Sequence, residues 1–187
     1  MALGVGFLNE CMNGFEHQVA GHMIREGMIL EGMAVERAIH DRYHASKRNP
    51  WNELECGDHY SRSMASYGVF LDACGFEYHG PKQHIGFAPK LTPENFRAAF
   101  TGSEGWGSYE QRMQNSDFRS QLAVKWGKLR LKSISLAPSF KPATVTVKLG
   151  GQPVRASLAD GEGKTTVTLA VEITLVAGHS LEINLGK

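Results

Sequence analysis

Residues 48–62 read RNPWNELECGDHYSR, and the interpretation of the whole chain starts from this stretch. Pro50 favours an extended conformation for Asn49, so the first half of the stretch is predicted to be a loop. The Asp58 side chain can accept hydrogen bonds from the free N–H groups of a first helical turn. The sequence therefore predicts a polar loop that leads into a helix, and Gly75 is the expected stop of that helix.

The loop and the first turns of this helix concentrate groups that suit a sugar-sized ligand. Glu53, Glu55, His59 and Arg62 lie close together in the sequence. A carboxylate can accept hydrogen bonds from neighbouring sugar hydroxyls while a guanidinium donates to the same pair, which orients the ring without reacting with it. The stretch is therefore predicted to bind a sugar.

Helical spacing also extends upstream, from residue 14 to about residue 45. Phe15, Val19 and Met23 fall four residues apart, as on one face of a helix. Several glycines interrupt the pattern, and each costs roughly 1 kcal/mol of helix propensity relative to alanine. The sequence therefore predicts two helices joined near residues 25–28, with glycines that permit a close approach between helices.

The sequence changes character after residue 75. Residues 76–108 are predicted to be an irregular segment of strands and turns, with a short helix over residues 91–100 that Thr92 caps. From Tyr109 onward, apolar residues alternate with polar ones, which indicates about five to seven short strands. Gly150-Gly151 is predicted to form a hairpin turn within this region.

Composition excludes several classes of protein. At 187 residues the chain can bury one ordinary core, or a small core with an appendage. A formal net charge of +1 gives no electrostatic case for binding nucleic acid. Three cysteines without regular spacing argue against a disulfide framework and favour a reducing compartment. The apolar residues 1–8 are a poor signal peptide and too short to span a membrane, so a cytoplasmic location is favoured.

A specific family resemblance is carried by three segments. The sequence resembles glycoside hydrolase family 116 at residues 14–23 (GFEHQVAGHM), 48–53 (RNPWNE) and 55–66 (ECGDHYSRSMAS). Residues 86–89 and 104–107 look like the segment that follows the barrel in bacterial members. The family includes non-lysosomal glucosylceramidases and bacterial β-glucosidases and β-xylosidases. The resemblance covers residues 7–110, and the strand-rich tail carries no family motif.

The resemblance implies a retaining β-glycosidase whose catalytic domain is an (α/α) six-hairpin toroid. This chain would hold only the last helices of that toroid, as a C-terminal fragment. The nucleophilic Glu and the acid/base Asp of the family lie upstream of the matching block, so no catalytic residue is expected in this chain. The chain by itself is therefore expected to be inactive, and neither a cofactor nor a metal is implied.

The resemblance also implies roles for individual residues. Glu53 and Arg62 match the positions that hold hydroxyls of the glycone, and Glu10 matches a further acid of the sugar pocket. Four further positions are expected to support or contact the site: Trp51, Asn52, Asp58 and His59. Glu55 is expected to pin the loop rather than to bind the sugar.

The residues themselves leave alternatives open. Glu53 and Glu55, two positions apart on an extended segment, point to the same side and could form a catalytic carboxylate pair. Asp58 and Arg62 could instead be an ordinary ion pair on a helix surface. The whole chain could also be a non-catalytic carbohydrate-binding or interaction module, made of a helical hairpin and a β-sandwich.

A metal site is a more distant alternative. His40 and His44 lie one helical turn apart, and Cys56 with His59 has the spacing of two zinc ligands. No third ligand appears at a recognisable spacing, so no metal is expected.

For some large apolar residues the sequence allows more than one location. Met23, Met28 and Met33 are expected either in the core or on a surface that further helices cover. Trp51 could stack on a sugar or close the loop onto the barrel, while Trp106 is expected in the core between tail and helices.

The fold class predicted is α+β: toroid helices over residues 1–75, a connecting segment over 76–108, and a small antiparallel sheet or sandwich over 109–187.

Overall fold

The computed structural model describes residues 12–47, 63–161 and 163–187. The chain divides into two compact units, Met1–Ala73 and Cys74–Lys187. The first unit is helical and the second is built from strands, so the predicted α+β class is confirmed. None of the helices within these ranges combines the length and the apolar character that crossing a bilayer requires.

Three helices form the described part of the first unit. They are α1 (Asn13–Arg25), α2 (Ile29–His40) and α3 (Ser63–Cys74), with a 3₁₀ turn at Ala45–Lys47. The predicted break between the first two helices is confirmed, because Gly27 adopts a φ of +89°, which glycine tolerates without strain. The predicted stop of α3 is also confirmed. Gly75 has a φ of +54°, and a Cβ atom there would lie 2.6 Å from the Ala88 carbonyl carbon.

Small residues bring the helices together. Ala20 and Ile24 of α1 are buried with Val69 of α3 in one cluster. At Gly32 of α2, a Cβ atom would lie 2.7 Å from Ile24 Cγ1 and 2.8 Å from the Ala20 carbonyl oxygen. The predicted role of glycine in close helix approach is therefore confirmed at Gly32.

Several larger apolar side chains of α1, and others at the start and in the first half of α2, lie on the surface. Phe15 is 58% exposed and Val19 is 49% exposed. Met28 and Met33 are exposed as well, so the first of their two expected placements, in the core, is wrong, and the second, a surface that further helices cover, stays a prediction. Alanine and glycine allow the two helix backbones to approach, and a stripe of larger side chains would hold them apart.

Ten strands form the described part of the second unit. They are β1 (Glu77–His79), β2 (His84–Phe87), β3 (Asn95–Gly102), β4 (Gly105–Gln114), β5 (Asp117–Leu136), β6 (Thr144–Leu149), β7 (Gln152–Val154), β8 (Ala156–Gly161), β9 (Lys164–Val176) and β10 (Ser180–Gly186). A 3₁₀ turn at Gly80–Lys82 separates β1 from β2. The predicted hairpin turn at Gly150-Gly151 is confirmed between β6 and β7, with both glycines at positive φ.

Strand β5 belongs to two sheets. Its first half pairs with β4 and β10 in a first sheet of order β3-β4-β5-β10-β6-β7, and its second half pairs with β2 and β9 in a second sheet of order β1-β2-β5-β9-β8. All neighbouring strands are antiparallel except β2 and β5, which are parallel. Gly127, with a φ of +72°, lies where β5 passes from one sheet to the other.

The core of the second unit lies between these sheets. The rings of Phe87 on β2 and Tyr109 on β4 stack with centroids 3.8 Å apart and 2° between their planes. Phe100 on β3 meets Phe87 edge-on, and both side chains are 1% exposed. Side chains of both sheets thus form one hydrophobic cluster, as in a β-sandwich.

Two sequence predictions for this region are wrong. Residues 91–100 are not a helix: β3 begins at Asn95, and Thr92 has a φ of +43° instead of capping a helix. Residues 76–108 are also not irregular, because they contain β1, β2, β3 and the start of β4. Ala98 and Phe100 are buried two positions apart, so pairing with β4 outweighs the local Thr-Pro signal.

Candidate functional site

The residues predicted to bind the sugar lie outside the described ranges. They are Glu10, Trp51, Asn52, Glu53, Glu55, Asp58, His59 and Arg62. Their roles, and the alternative of a Glu53–Glu55 catalytic pair, therefore stay predictions. In the sequence, Glu10 shortly precedes α1, and Arg62 directly precedes the first described residue of α3.

A partly buried polar network joins the start of α1 to the segment after α2. Arg42 Nη2 donates to Asn13 Oδ1 at 2.5 Å, and the same guanidinium donates to both carboxylate oxygens of Glu16. Asn13 is 1% exposed, and its amide donates to the Tyr43 hydroxyl. The two terminal nitrogens of the Arg42 guanidinium are paired, whereas its Nε is buried without a hydrogen-bond partner among the described residues. The network links the start of α1 to the segment after α2.

Two further contacts complete the polar framework of the helical unit. The ring nitrogen Nδ1 of His17 lies 2.8 Å from Glu36 Oε2, which links α1 to α2. Arg25 Nε donates to Asp72 Oδ1 at 2.7 Å, which links α1 to α3. These contacts hold in place the helices that flank the predicted sugar-binding stretch in the sequence.

Metal-ligating groups do not cluster in the parts of the chain that the structure describes. No set of three His, Cys, Asp or Glu side chains in these ranges is placed to hold a metal ion. His44 Nδ1 instead lies 2.8 Å from the Ser46 hydroxyl. Cys56 and His59 lie outside the described residues.

Two tryptophans occupy opposite positions on neighbouring strands of the first sheet. Trp106 of β4 and Trp126 of β5 are direct partners in the antiparallel register, beside a β-bulge between Trp106 and Gly107. Trp106 is 50% exposed and Trp126 is 63% exposed. The prediction that Trp106 lies in the core is therefore wrong.

The outer face of the same sheet is polar beyond the tryptophan pair. Ser108, Glu110 and Arg112 alternate with buried residues along β4, so they lie on the same face as Trp106. Glu110 is opposite Gln121 of β5, which is opposite Glu182 of β10. These side chains line a surface cavity of about 300 Å³ together with Arg119 and Asn184.

Charge pairing lowers the pKa of two acids elsewhere in the second unit. The hydrogen bond from Lys128, with Nζ 3.2 Å from Glu104, is the largest cause that lowers the pKa of Glu104, and Arg130 adds to it. For Glu77, partial burial alone would raise the pKa, but Lys164 and His84 together outweigh it. Both acids are therefore ionised and paired at neutral pH, which suits a structural role.

The comparisons with known proteins give a distant likeness to glycosidases. No family model and no curated protein matches the chain. Among solved structures, the chain is similar to a GH127 β-L-arabinofuranosidase from Geobacillus stearothermophilus T6, with a TM-score of 0.40 and 8% identity. It is also similar to an α-L-rhamnosidase from Dictyoglumus thermophilum, with a TM-score of 0.38 and 14% identity.

These similarities span most of this chain and a small part of the others. They cover 78% of this chain and 22% of the arabinofuranosidase, and 74% of this chain and 16% of the rhamnosidase. The chain thus spans less than a quarter of the length of each enzyme. The likeness is one of distant fold, and it carries no activity to this chain.

Sequence reasoning missed the tryptophan pair, although a signal for it exists. The β4–β5 hairpin turns at Asn115 and Ser116, and Asn115 has a φ of +55°, which asparagine tolerates better than most residues. Counting outward from the Gln114–Asp117 pair brings Trp106 opposite residue 125, one position from Trp126. The extra residue of the bulge decides in favour of Trp126.

Proposed function

We propose that the chain is the C-terminal part of a retaining β-glycosidase of the family 116 type, and that it supplies contacts to the glycone. The observation that carries the proposal is the sequence block over residues 48–66, which resembles that family over a long and specific run. Glu53 and Arg62 hold sugar hydroxyls, and Glu10 contributes a further acid. The bond-breaking carboxylates belong to a part of the enzyme outside this chain.

The chemistry of these side chains supports the proposal. A hydrogen bond to a charged group contributes about 1.5–3 kcal/mol, so an acid and a guanidinium together can orient one sugar ring firmly. In a retaining enzyme, a Glu attacks the anomeric carbon while a second acid protonates the leaving oxygen, with the carboxyl groups about 5–5.5 Å apart. Contacts remote from that centre raise the rate only where they tighten at the transition state.

The surface of the helical unit also supports a larger assembly. Phe15, Leu30, Met64 and Tyr67 are exposed on α1, α2 and α3, and Leu30 is 83% exposed. Exposed apolar side chains mark contacts with another protein segment where they form a continuous patch. Further helices of a toroid are segments of the right character to cover them.

The proposal is tested first by the gene and then by the enzyme. The genomic sequence upstream of Met1 should continue in frame and encode further helical hairpins. The extended protein should hydrolyse 4-nitrophenyl β-D-glucoside with retention of configuration. Glu53→Gln should lower its kcat/KM by roughly tenfold to a hundredfold, since each 1.36 kcal/mol is a factor of ten.

Glu55→Gln, two residues away, is the matched control and should have a much smaller effect. The proposal fails if the extended protein has no glycosidase activity, or if Glu53→Gln and Glu55→Gln behave alike. It also fails if the present chain alone hydrolyses the substrate and loses that activity in Glu53→Gln.

The second candidate function is a non-catalytic carbohydrate-binding module. The exposed pair of Trp106 and Trp126 is the observation that favours it, because neither ring is buried in the sandwich core.

A further inference from the structure

The two tryptophans form an exposed aromatic platform on the first sheet. Residues directly opposite each other in an antiparallel pair have Cβ atoms about 4.5–5.5 Å apart, so the two indole rings share one patch of surface. On the other side of Trp106, its partner on β3 is Thr101, a small residue that leaves the ring uncovered. An indole ring presents a flat apolar face and one N–H donor, which suits the C–H face and the hydroxyls of a sugar.

The platform continues into polar groups along the same strands. Glu110 lies four residues beyond Trp106 on the same side of β4, which is about 13 Å at the rise of a strand. Glu110, Gln121 and Glu182 then follow one another across three neighbouring strands. The aromatic and polar parts together suit an elongated ligand better than a single small molecule.

The charges on this face decide which class of ligand fits. One row across the sheet runs Arg97, Glu110, Gln121, Glu182 and Lys148, with both acids in the middle. The next row places Arg112 of β4 opposite Arg119 of β5, so the cavity is lined by two carboxylates and two guanidinium groups. Acids and cations are thus equal in number around the cavity, so it has no excess of positive charge that would favour a polyanion. Carboxylates and an amide are, in contrast, ready acceptors and donors for hydroxyl groups.

The two acids in the middle of this row, Glu110 and Glu182, are free to bind a ligand. Neither Glu110 nor Glu182 forms a side-chain hydrogen bond or ion pair with any described residue, unlike Glu77 and Glu104, which are paired with cations. Both line the surface cavity of about 300 Å³ described above. An unpaired carboxylate at the rim of a cavity can exchange its water for a sugar hydroxyl at little cost.

We propose that the outer face of the first sheet binds a neutral oligosaccharide. Trp106 and Trp126 stack on the C–H faces of its sugar rings, and Glu110, Gln121 and Glu182 hydrogen-bond to its hydroxyls. This proposal uses none of the residues of the proposed glycone contacts, Glu53 and Arg62, and does not rest on the proposed function. Either site can therefore fail without the other.

Titration of the full chain with defined oligosaccharides tests the proposal. The background is Trp51→Phe, so that Trp106 and Trp126 alone report through their fluorescence. The probes are cellopentaose, xylopentaose, mannopentaose and arabinopentaose. At least one should give a saturable change, and Trp106→Ala and Trp126→Ala should each weaken its binding by roughly tenfold.

Two charge variants provide the matched comparison. Glu110→Gln should weaken binding of the same probe, while Glu172→Gln, an exposed acid on β9 of the second sheet, should leave it unchanged. Thermal melts of all variants show whether the fold is intact. If a tryptophan variant does not fold, the Glu110→Gln and Glu172→Gln pair still decides the question, since both are conservative changes on exposed side chains.

Four results would overturn the proposal. The first is no saturable fluorescence change with any probe at concentrations up to about 10 mM. The second is binding that Trp106→Ala, Trp126→Ala and Glu110→Gln leave unchanged. The third is binding that is lost in Glu53→Gln alone, which would place the sugar at the helical site and support the proposed function instead. The fourth is tighter, salt-dependent binding of a thymidine oligonucleotide, which would indicate a nucleic-acid surface.

Discussion

Replacing Gly127 by alanine tests how β5 passes between the two sheets. Gly127 has a φ of +72°, in the left-handed region that alanine adopts only with strain. A Cβ atom there would also lie well inside contact distance of the Glu104 carbonyl oxygen and 2.9 Å from Gly105 Cα. The neighbouring Lys128 N–H donates to that same carbonyl oxygen at 3.0 Å, so the backbone there cannot move away freely.

The two effects can be given separate magnitudes. The left-handed conformation costs alanine about 1–2 kcal/mol, partly offset by a smaller loss of chain entropy on folding. Forcing extra volume into a packed site costs about 1–3 kcal/mol more, and a broken backbone hydrogen bond about 0.5–1.5 kcal/mol. We therefore expect Gly127→Ala to lower the free energy of unfolding by about 3–5 kcal/mol.

Two other glycines separate strain from overlap. Gly178 has a φ of +85° with open space around a Cβ atom, so Gly178→Ala should cost only about 1 kcal/mol. Gly107 has no positive φ, but a Cβ atom there would lie 2.9 Å from Phe100 Cε1 and inside contact distance of the Ala123 carbonyl oxygen. Gly107→Ala should therefore fall between the other two.

Urea unfolding measures all three variants. In a Trp51→Phe background, the fluorescence of Trp106 and Trp126 reports on the β-sandwich unit, and linear extrapolation gives the free energy of unfolding. The reasoning is refuted if Gly127→Ala and Gly178→Ala differ by less than about 0.5 kcal/mol, because the close approach of β4 would then have no energetic effect.

Three further predictions can be tested by urea unfolding. Circular dichroism follows the unfolding of the glycine and Cys74 variants, and tryptophan fluorescence follows that of Tyr109→Phe. Gly32→Ala should destabilise the helical unit, because a Cβ atom there would overlap α1. Gly68→Ala should stabilise it by about 0.5–1 kcal/mol, because a Cβ atom at this position of α3 meets open space. Equal effects of the two variants would contradict the packing argument. Burial raises the pKa of the Cys74 thiol to about 11, so the folded chain holds this proton more tightly than the unfolded chain. The contribution of this raised pKa to the free energy of unfolding is fully present below pH 9 and falls by about 2 kcal/mol as the pH rises to 11. In Cys74→Ala, the free energy of unfolding should therefore decrease less between pH 9 and pH 11. Tyr109→Phe should cost about 1–3 kcal/mol, because the lost hydroxyl donates to buried Gln111 Oε1 at 2.7 Å, and no loss would show that this bond contributes nothing.

The helical unit shows how far local signals reach. The break near Gly27 and the stop at Gly75 follow from the freedom of glycine at positive φ, which depends only on the residue and its immediate neighbours. The choice of buried face does not. Phe15 and Val19 have the same helical spacing as a core stripe, yet Ala20 and Ile24 are buried, because the distance between helices favours the smaller side chains.

The two candidate sites also differ in whether they depend on local sequence or on contacts between distant segments. The roles of Glu53 and Arg62 depend on a contiguous run of residues and on a family resemblance, and they stay predictions because both residues lie outside the described ranges. The Trp106–Trp126 platform, in contrast, joins two strands through a hairpin whose register includes a bulge. One residue more or fewer in that bulge would bring a different residue opposite Trp106.

The sequence alone determined the class of this protein: helices first, strands afterwards, with glycines at the helix ends and at the Gly150-Gly151 turn. Those features arise from backbone preferences over a few residues, so they can be recognised without knowing what lies nearby in space. Only the tertiary structure decided that residues 95–102 form a strand, that β5 crosses between two sheets at Gly127, and that two tryptophans twenty positions apart share one exposed face. Each of these depends on contacts between segments distant in the chain, and such contacts outweigh local preferences of about 1 kcal/mol per residue.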